Sequence, residues 1–218
     1  MYEEYTPLIT NQDTLEPGQV ELLLQRQDML QNEAHSVVEE LNLVNLLSEI
    51  GSVRILGSSA LGLMTWRDID VAVSSPGLTI GRAYESLQAL LKHPRVKEVR
   101  YLNESGCFNP RGLPYDERYF FMIRYDKQVE SDWKIDISFW LSEGMHPEPM
   151  HDMVKQQLTP DTRLAILHIK NVWYKLPFYR QEVSSVDIYD AVLLHNVRTL
   201  AAFDHYLLER GKPTRLGM

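Results

Sequence analysis

The sequence predicts an α/β fold, a small mixed β-sheet with helices, followed by a C-terminal helical subdomain. Three observations carry that expectation. Apolar runs over residues 53–57, 68–73, 118–125 and 133–140 have the length of strands and their β-branched or aromatic content. Between them, Ile80, Tyr84, Leu87 and Leu91 recur at i, i+4, i+7 and i+11, the period of a helix with one buried face. After Ser142 the strand pattern stops and helical periods take over. A chain of 218 residues, 44% hydrophobic, has enough apolar surface for one such core and a smaller appendage.

Residues 1–17, with Pro7 and Pro17, read as an irregular N-terminal arm ahead of a core over 18–142. From Gln19 to Ile50 the spacing is helical, with a break expected near Asn32-Glu33 and with Val37, Leu41, Leu46 and Leu47 as core contacts. Strand 53–57 runs into Gly57-Ser58, and strand 68–73 into the turn Ser74-Ser75-Pro76-Gly77. Pro94 stops the helix that follows, and Val96–Leu102 forms the next strand. A loop holding Gly106, Pro110, Gly112 and Pro114 leads to strand 118–125, whose Tyr-Phe-Phe-Met-Ile centre predicts burial on both faces. A polar connection, 126–132, turns it back antiparallel into 133–140.

The subdomain, 143–218, opens with a linker marked by Gly144, Pro147 and Pro149, and two helices close it. Thr159 caps the first and Pro160 takes its first position, where the missing N–H costs nothing. The segment His146–Asp152 has metal-like residue types but reads as a surface loop. The last helix, about 186–209, is apolar on two faces. Such a helix is buried on both sides, within the subdomain or at a homodimer interface. His195 on it reads as a packed, satisfied histidine.

The chemistry concentrates in Val53–Val73, VRILGSSALGLMTWRDIDVAV. Gly57 has no Cβ, so its backbone allows close approach of a phosphate, and Ser58 adds an N–H and a hydroxyl. After a nine-residue spacer, 59–67, strand alternation puts Asp68 and Asp70 on one side and Ile69, Val71 and Val73 on the other. Two adjacent carboxylates repel each other unless a cation lies between them, and a hard divalent ion such as Mg²⁺ suits oxygen ligands shared with phosphate. Trp133–Trp140 alternates in the same way, presenting Lys134, Asp136 and Ser138 opposite Trp133, Ile135, Ile137 and Phe139. Taken singly, a Gly-Ser is a turn and an Asp-x-Asp a solvated strand end. Together, three carboxylates converging beside a glycine loop are what a two-metal phosphoryl-transfer site requires. Arg67, one residue before Asp68, points away from it by the same alternation.

Leu56, Gly57, Ser58, Asp68, Ile69, Asp70, Val71 and Asp136 together resemble the signature of the DNA polymerase β-type nucleotidyltransferase superfamily. The resemblance covers about residues 35 to 140. It implies the nucleotidyltransferase fold, with Gly57 and Ser58 holding the triphosphate of an NTP. Asp68, Asp70 and Asp136 would carry two Mg²⁺ ions, with Mn²⁺ as an alternative. The implied reaction moves a nucleoside monophosphate, with ATP as first choice of donor, to an acceptor hydroxyl and releases pyrophosphate. Asp136 is the first candidate for the acceptor's proton and Glu143 the second. The chain departs from the small antitoxin-like members, with Ala60-Leu61-Gly62-Leu63-Met64 in place of their Arg-rich loop. On the helix opened by Thr159, Arg163, Lys170 and Tyr174 lie nearly opposite the apolar stripe. That face is either solvated or the far wall of a nucleotide cleft, with Lys170 reaching phosphate and Tyr174 stacking.

Charge and composition narrow the partners. The net charge of −8 belongs to residues 1–50, where ten acidic side chains face Arg26 alone, and the rest is near neutral. No Lys/Arg run or aromatic-basic interleaving of the single-strand-binding kind is present. The expected acceptor is therefore a small hydroxylated molecule rather than a nucleic acid. The alternatives are a toxin-like enzyme acting on tRNA or protein, and a non-catalytic nucleotide-binding regulator on the same fold. A metal-dependent glycosyltransferase also uses Asp-x-Asp, but builds a large nucleotide-binding region ahead of it. The lone Cys107 excludes an internal disulfide and the first residues lack a secretory pattern, so a cytoplasmic protein without a membrane segment is expected.

Overall fold

The structure is a computed structural model that describes residues 13–110, 112, 113, 116–127, 131–142 and 148–215. Two compact units make up the chain, Asp28–Met153, and Met1–Gln27 with Val154–Met218. The first helix, α1 (Pro17–Glu40), crosses from one to the other. The larger unit continues with α2 (Leu43–Ser48), β1 (Ser52–Leu56), α3 (Gly57–Leu61), β2 (Asp68–Ser74), α4 (Ile80–Leu91), β3 (Val96–Glu104), β4 (Arg118–Tyr125) and β5 (Trp133–Trp140), and α5 (Glu148–Gln157) crosses back to the smaller unit after Met153. The smaller unit holds α6 (Pro160–Trp173), α7 (Ser185–Leu194) and α8 (Leu200–Leu208).

The five strands form one mixed sheet in the order β1-β2-β5-β4-β3. Only the β2–β5 pair is parallel, and β4 and β5 form the expected antiparallel hairpin. The register sorts every residue of these strands by face. Ile69, Val71 and Val73 of β2, Ile135, Ile137 and Phe139 of β5, and Phe121 and Ile123 of β4 are all buried in one core. Ala83, Leu87 and Leu90 of α4, Leu30, Ala34 and Val37 of α1, and Leu43 and Leu47 of α2 close over it. Thr79 caps α4 by accepting from the Arg82 N–H. The opposite face carries Leu56, Asp68, Asp70, Lys134, Asp136, Ser138, Arg118 and Phe120, joined as Cα partners across neighbouring strands. This face combines the polar residues with a small buried apolar cluster, Leu56, Ala72 and Trp140. The expectation of burial on both sides of 118–125 is met at its centre, Phe121–Ile123, while Arg118 and Phe120 are half-buried.

Two helix boundaries differ from expectation, and both turn on an asparagine. α1 runs unbroken through Asn32-Glu33 and the break comes at Asn42, whose φ is 49°. The single last helix is instead α7 and α8, separated at Asn196, φ 55°. Asparagine enters the left-handed region more readily than other side-chain-bearing residues. Thr199 then restarts the chain as the cap of α8, accepting from the Ala202 N–H at 3.1 Å. The two apolar faces thus belong to two short helices. His195, placed at the break, is half-exposed, with Asp190 at 3.3 Å and its ring centre 5.4 Å from that of Tyr206.

Strand 96–102 extends to Glu104, and part of the expected linker is α5, which takes Pro149 in its first turn where proline is tolerated. His151 therefore sits on a helix rather than a surface loop, and Asp152 pairs with Arg54 at 2.9 Å. Four helices, not two, follow Ser142 among the described residues. Gly144, Pro147, Glu143, His146 and residues 1–12 of the expected arm lie outside the described residues. No helix among the described residues is long and apolar enough to cross a membrane.

The division of faces predicts an asymmetry in stability. Ile137→Ala, at a wholly buried position, is expected to destabilise by about 2–5 kcal/mol in urea unfolding. Leu102→Ala, 51% exposed on the other face, should stay within about 0.5 kcal/mol. Equal losses would show that the core lies elsewhere.

Candidate metal centre

Alternation along β2 brings Asp68 and Asp70 to the same face, and the parallel register makes Asp70 the Cα partner of Asp136. The three carboxylates each offer an oxygen within 4.8 Å of the others, and they form the only such metal-ligating group among the described residues. Asp68 is 8% exposed and the other two are half-buried. The Trp66 indole N–H donates to Asp68 Oδ2 at 3.1 Å and orients that carboxylate.

A lysine supplies countercharge. Lys134, the Cα partner of Asp68, donates to Asp68 Oδ1 at 3.3 Å and to Asp136 Oδ2. Burial works to lower the pKa of its ammonium, but Asp68, Asp136 and Asp70 outweigh this and hold it above the ordinary 10.5. The ammonium's contribution to this contact is therefore present below pH 10.5 and is lost as the pH rises through the raised value. An all-oxygen ligand set that already attracts one cation fits a hard divalent ion, Mg²⁺ or Mn²⁺.

Gly57 is fixed by this arrangement. Its φ of +65° lies in the left-handed region, and a Cβ there would come within 2.2 Å of Asp70 Oδ2. Any side chain would strike a candidate metal ligand, so the position of the Asp70 carboxylate itself requires glycine here. Ser58 lies in the first turn of the short α3, is 7% exposed, and accepts at its carbonyl from the Leu63 N–H at 3.0 Å. Gln31 of α1 donates to the Ser59 carbonyl at 2.9 Å and holds α3 in place. Arg67 points away from Asp68, as alternation requires, and pairs with Glu33 at 2.9 Å. Gly57, Asp70 and Asp136 line a cleft of about 300 Å³ whose other wall is Arg118, Phe120 and Trp140.

Lys170 and Tyr174 belong to the smaller unit. Helical spacing assigns Lys170 away from the apolar stripe, yet it has no exposed surface, and its ammonium lies 3.4 Å from the Tyr189 hydroxyl. The Tyr174 hydroxyl accepts from Arg26 at 3.2 Å, and the Lys175 ammonium sits 5.3 Å from its ring centre. Arg163 pairs with Gln27. This polar face is thus largely covered rather than solvated. The extra cover comes from α1 and α7, which a wheel drawn on one helix omits.

Among solved structures, the chain is similar to the Cid1 poly(U) polymerase, in a structure with Mg and 3′-dATP bound. The match has a TM-score of 0.50 at 15% identity and covers 82% of this chain and 55% of that one. The chain has the nucleotidyltransferase fold. It spans about half the length of that protein. No protein-family model and no curated protein matches the chain. The shared fold accounts for the mixed sheet with its helices.

Sequence alone did not single out Lys134, Trp66, Arg118 or Phe120. Lys134 carried a signal, since it shares Asp136's face two residues earlier. Its partner across the sheet, Asp68, becomes visible only with the register. If Lys134 is the resident countercharge, Lys134→Met should lower the melting temperature of the metal-free protein. It should also enlarge the rise produced by saturating Mn²⁺, because three carboxylates then lack any other cation. An unchanged metal-free melting temperature in calorimetry would exclude this role.

Proposed function

We propose that the protein is a metal-dependent nucleotidyltransferase that moves the nucleoside monophosphate of an NTP, with ATP as first choice, to an acceptor hydroxyl. The observation that carries this is the convergence of Asp68, Asp70 and Asp136, the last two lining one cleft with Gly57. Asp68 and Asp70 would hold an ion on the triphosphate, and all three carboxylates a second ion near the acceptor. Such ions neutralise phosphate charge and lower the pKa of a bound hydroxyl. The Gly57-Ser58 turn would seat the phosphates against backbone N–H groups. The acceptor oxygen attacks the α-phosphorus, the bond to the bridging oxygen of the β-phosphate breaks, and pyrophosphate leaves. Asp136 takes the hydroxyl proton. Positioning and charge neutralisation supply most of the rate in transfers of this kind.

The Mg and 3′-dATP bound in the similar structure support an NTP with a divalent ion here. The assignments of Lys170 to phosphate and of Tyr174 to a base are separate proposals, resting on side-chain chemistry, and the first requires that Lys170, which has no exposed surface, be uncovered when nucleotide binds. The acceptor in this proposal is a small hydroxylated molecule. A polynucleotide acceptor is the second reading, favoured by one observation, that the similar structure is a poly(U) polymerase.

Nucleotide binding should depend on the divalent ion, since carboxylates and triphosphate otherwise repel. In titration calorimetry, ATP should bind with Mg²⁺ and not with EDTA. Asp136→Asn should leave that binding nearly intact. It should cut pyrophosphate release from labelled ATP, assayed with pooled metabolites as acceptors, by about 10²–10⁴-fold. Asp70→Asn should weaken both. Equal ATP affinity with and without EDTA would contradict the proposal.

A further inference from the structure

The sheet order leaves one direction for an acceptor. Across the face the residues run from Gly57 after β1, through Asp70 of β2 and Asp136 of β5, to Phe120 of β4. If the triphosphate lies on the Gly57 side of the carboxylates, the far wall of the same cleft is open to the second substrate. Resting on the proposed transfer, we infer that this wall is the acceptor site, and that it takes an uncharged, ring-bearing, hydroxylated small molecule.

The wall is apolar and its charge is spent. Trp140, 2% exposed, forms the floor with Ala72 and Leu56. The Arg118 guanidinium lies 4.8 Å from the Phe120 ring centre and 5.2 Å from that of Trp140. It also donates to Ser138 Oγ at 3.0 Å and pairs with Glu104 at 2.5 Å. A guanidinium fixed over two rings presents a flat surface, on which a planar group can stack without a countercharge of its own. Phe120 is half-buried, and Leu102, its Cα partner on β3, is 51% exposed, so the apolar ledge continues outward from the cleft.

The same charges argue against a polynucleotide. Arg118, Arg54 and Arg100 share this face, and each is paired with a carboxylate, Glu104, Asp152 and Glu98 respectively. A strand of phosphates needs cations whose counterions it can displace. Beside the cleft the countercharges are built into the protein, and Arg124, on the same face as the Cα partner of Lys134, lies outside the cleft lining. The cleft of about 300 Å³ is at the small end for ligand pockets and is shared with Gly57, Asp70 and Asp136, so the part left to an acceptor suits a small molecule.

Binding to the full chain can be followed by NMR, with Mg²⁺ and a non-hydrolysable ATP analogue bridged by methylene between the α- and β-phosphates. Phenyl β-glucoside, methyl β-glucoside, phenyl phosphate and a short oligouridylate serve as probes. Phenyl β-glucoside should shift the Trp140 indole and Arg118 Nε signals. Phe120→Ala should weaken it by about tenfold, while changing affinity for the ATP analogue less than twofold. The methyl glucoside and phenyl phosphate should bind more weakly. Shifts caused by oligouridylate instead, or by none of the probes, would overturn the inference. So would a Phe120→Ala protein that has lost the ATP analogue, because the ring would then belong to the nucleotide. Failure of the wild type to bind the ATP analogue with Mg²⁺ would instead overturn the proposed transfer itself.

Discussion

Mutual repulsion of Asp68, Asp70 and Asp136 is the constraint from which the rest of the larger unit follows. With oxygens within 4.8 Å of one another, each pair repels by roughly 3 kcal/mol at an effective dielectric near 20. No such cluster persists without something to hold it. Two things hold it here. A sheet buried on its other face fixes the backbones of β2 and β5, and the Lys134 ammonium lies between two of the carboxylates. The parallel pairing matters because it sets Asp70 directly against Asp136 and Asp68 against Lys134. A register slip of one residue would carry the carboxylates of the displaced strand into the core and its isoleucines out of it.

The core therefore does more than stabilise. Ile69, Val71, Ile135 and Ile137 are wholly or almost wholly buried, and each sits beside a carboxylate that must point the other way. Stability and site are alternate residues of the same two strands. Gly57 joins them to the loop. Its left-handed backbone leaves room for the Asp70 carboxylate where a Cβ would collide with it. The further wall, Arg118 over Phe120 and Trp140, is anchored by the same register, with Arg118 opposite Trp140 and Phe120 opposite Ser138.

Much of this was legible in the sequence because period-two alternation is a local property. The faces of β2 and β5, the Gly57-Ser58 turn and the convergence of Asp136 with Asp70 needed only residue order and the resemblance those residues carry. What was not legible depended on neighbours far along the chain. Lys134 could be placed on Asp136's face but not against Asp68, since that contact requires the parallel register. Lys170 reads as exposed on its own helix and is buried by others. The breaks at Asn42 and Asn196 were missed for a different reason. Each asparagine sits within a continuing apolar pattern, and its left-handed backbone leaves no mark on that pattern.

The central claim is that Asp68, Asp70 and Asp136 act together as a cation site. Anomalous diffraction from a crystal soaked in Mn²⁺ and an ATP analogue tests it most directly. The account predicts a peak bounded by these three carboxylates, with the Lys134 ammonium displaced from it and phosphate density on the Gly57 side. A protein saturated with nucleotide, with no manganese peak at the three carboxylates and Lys134 still between Asp68 and Asp136, would contradict it.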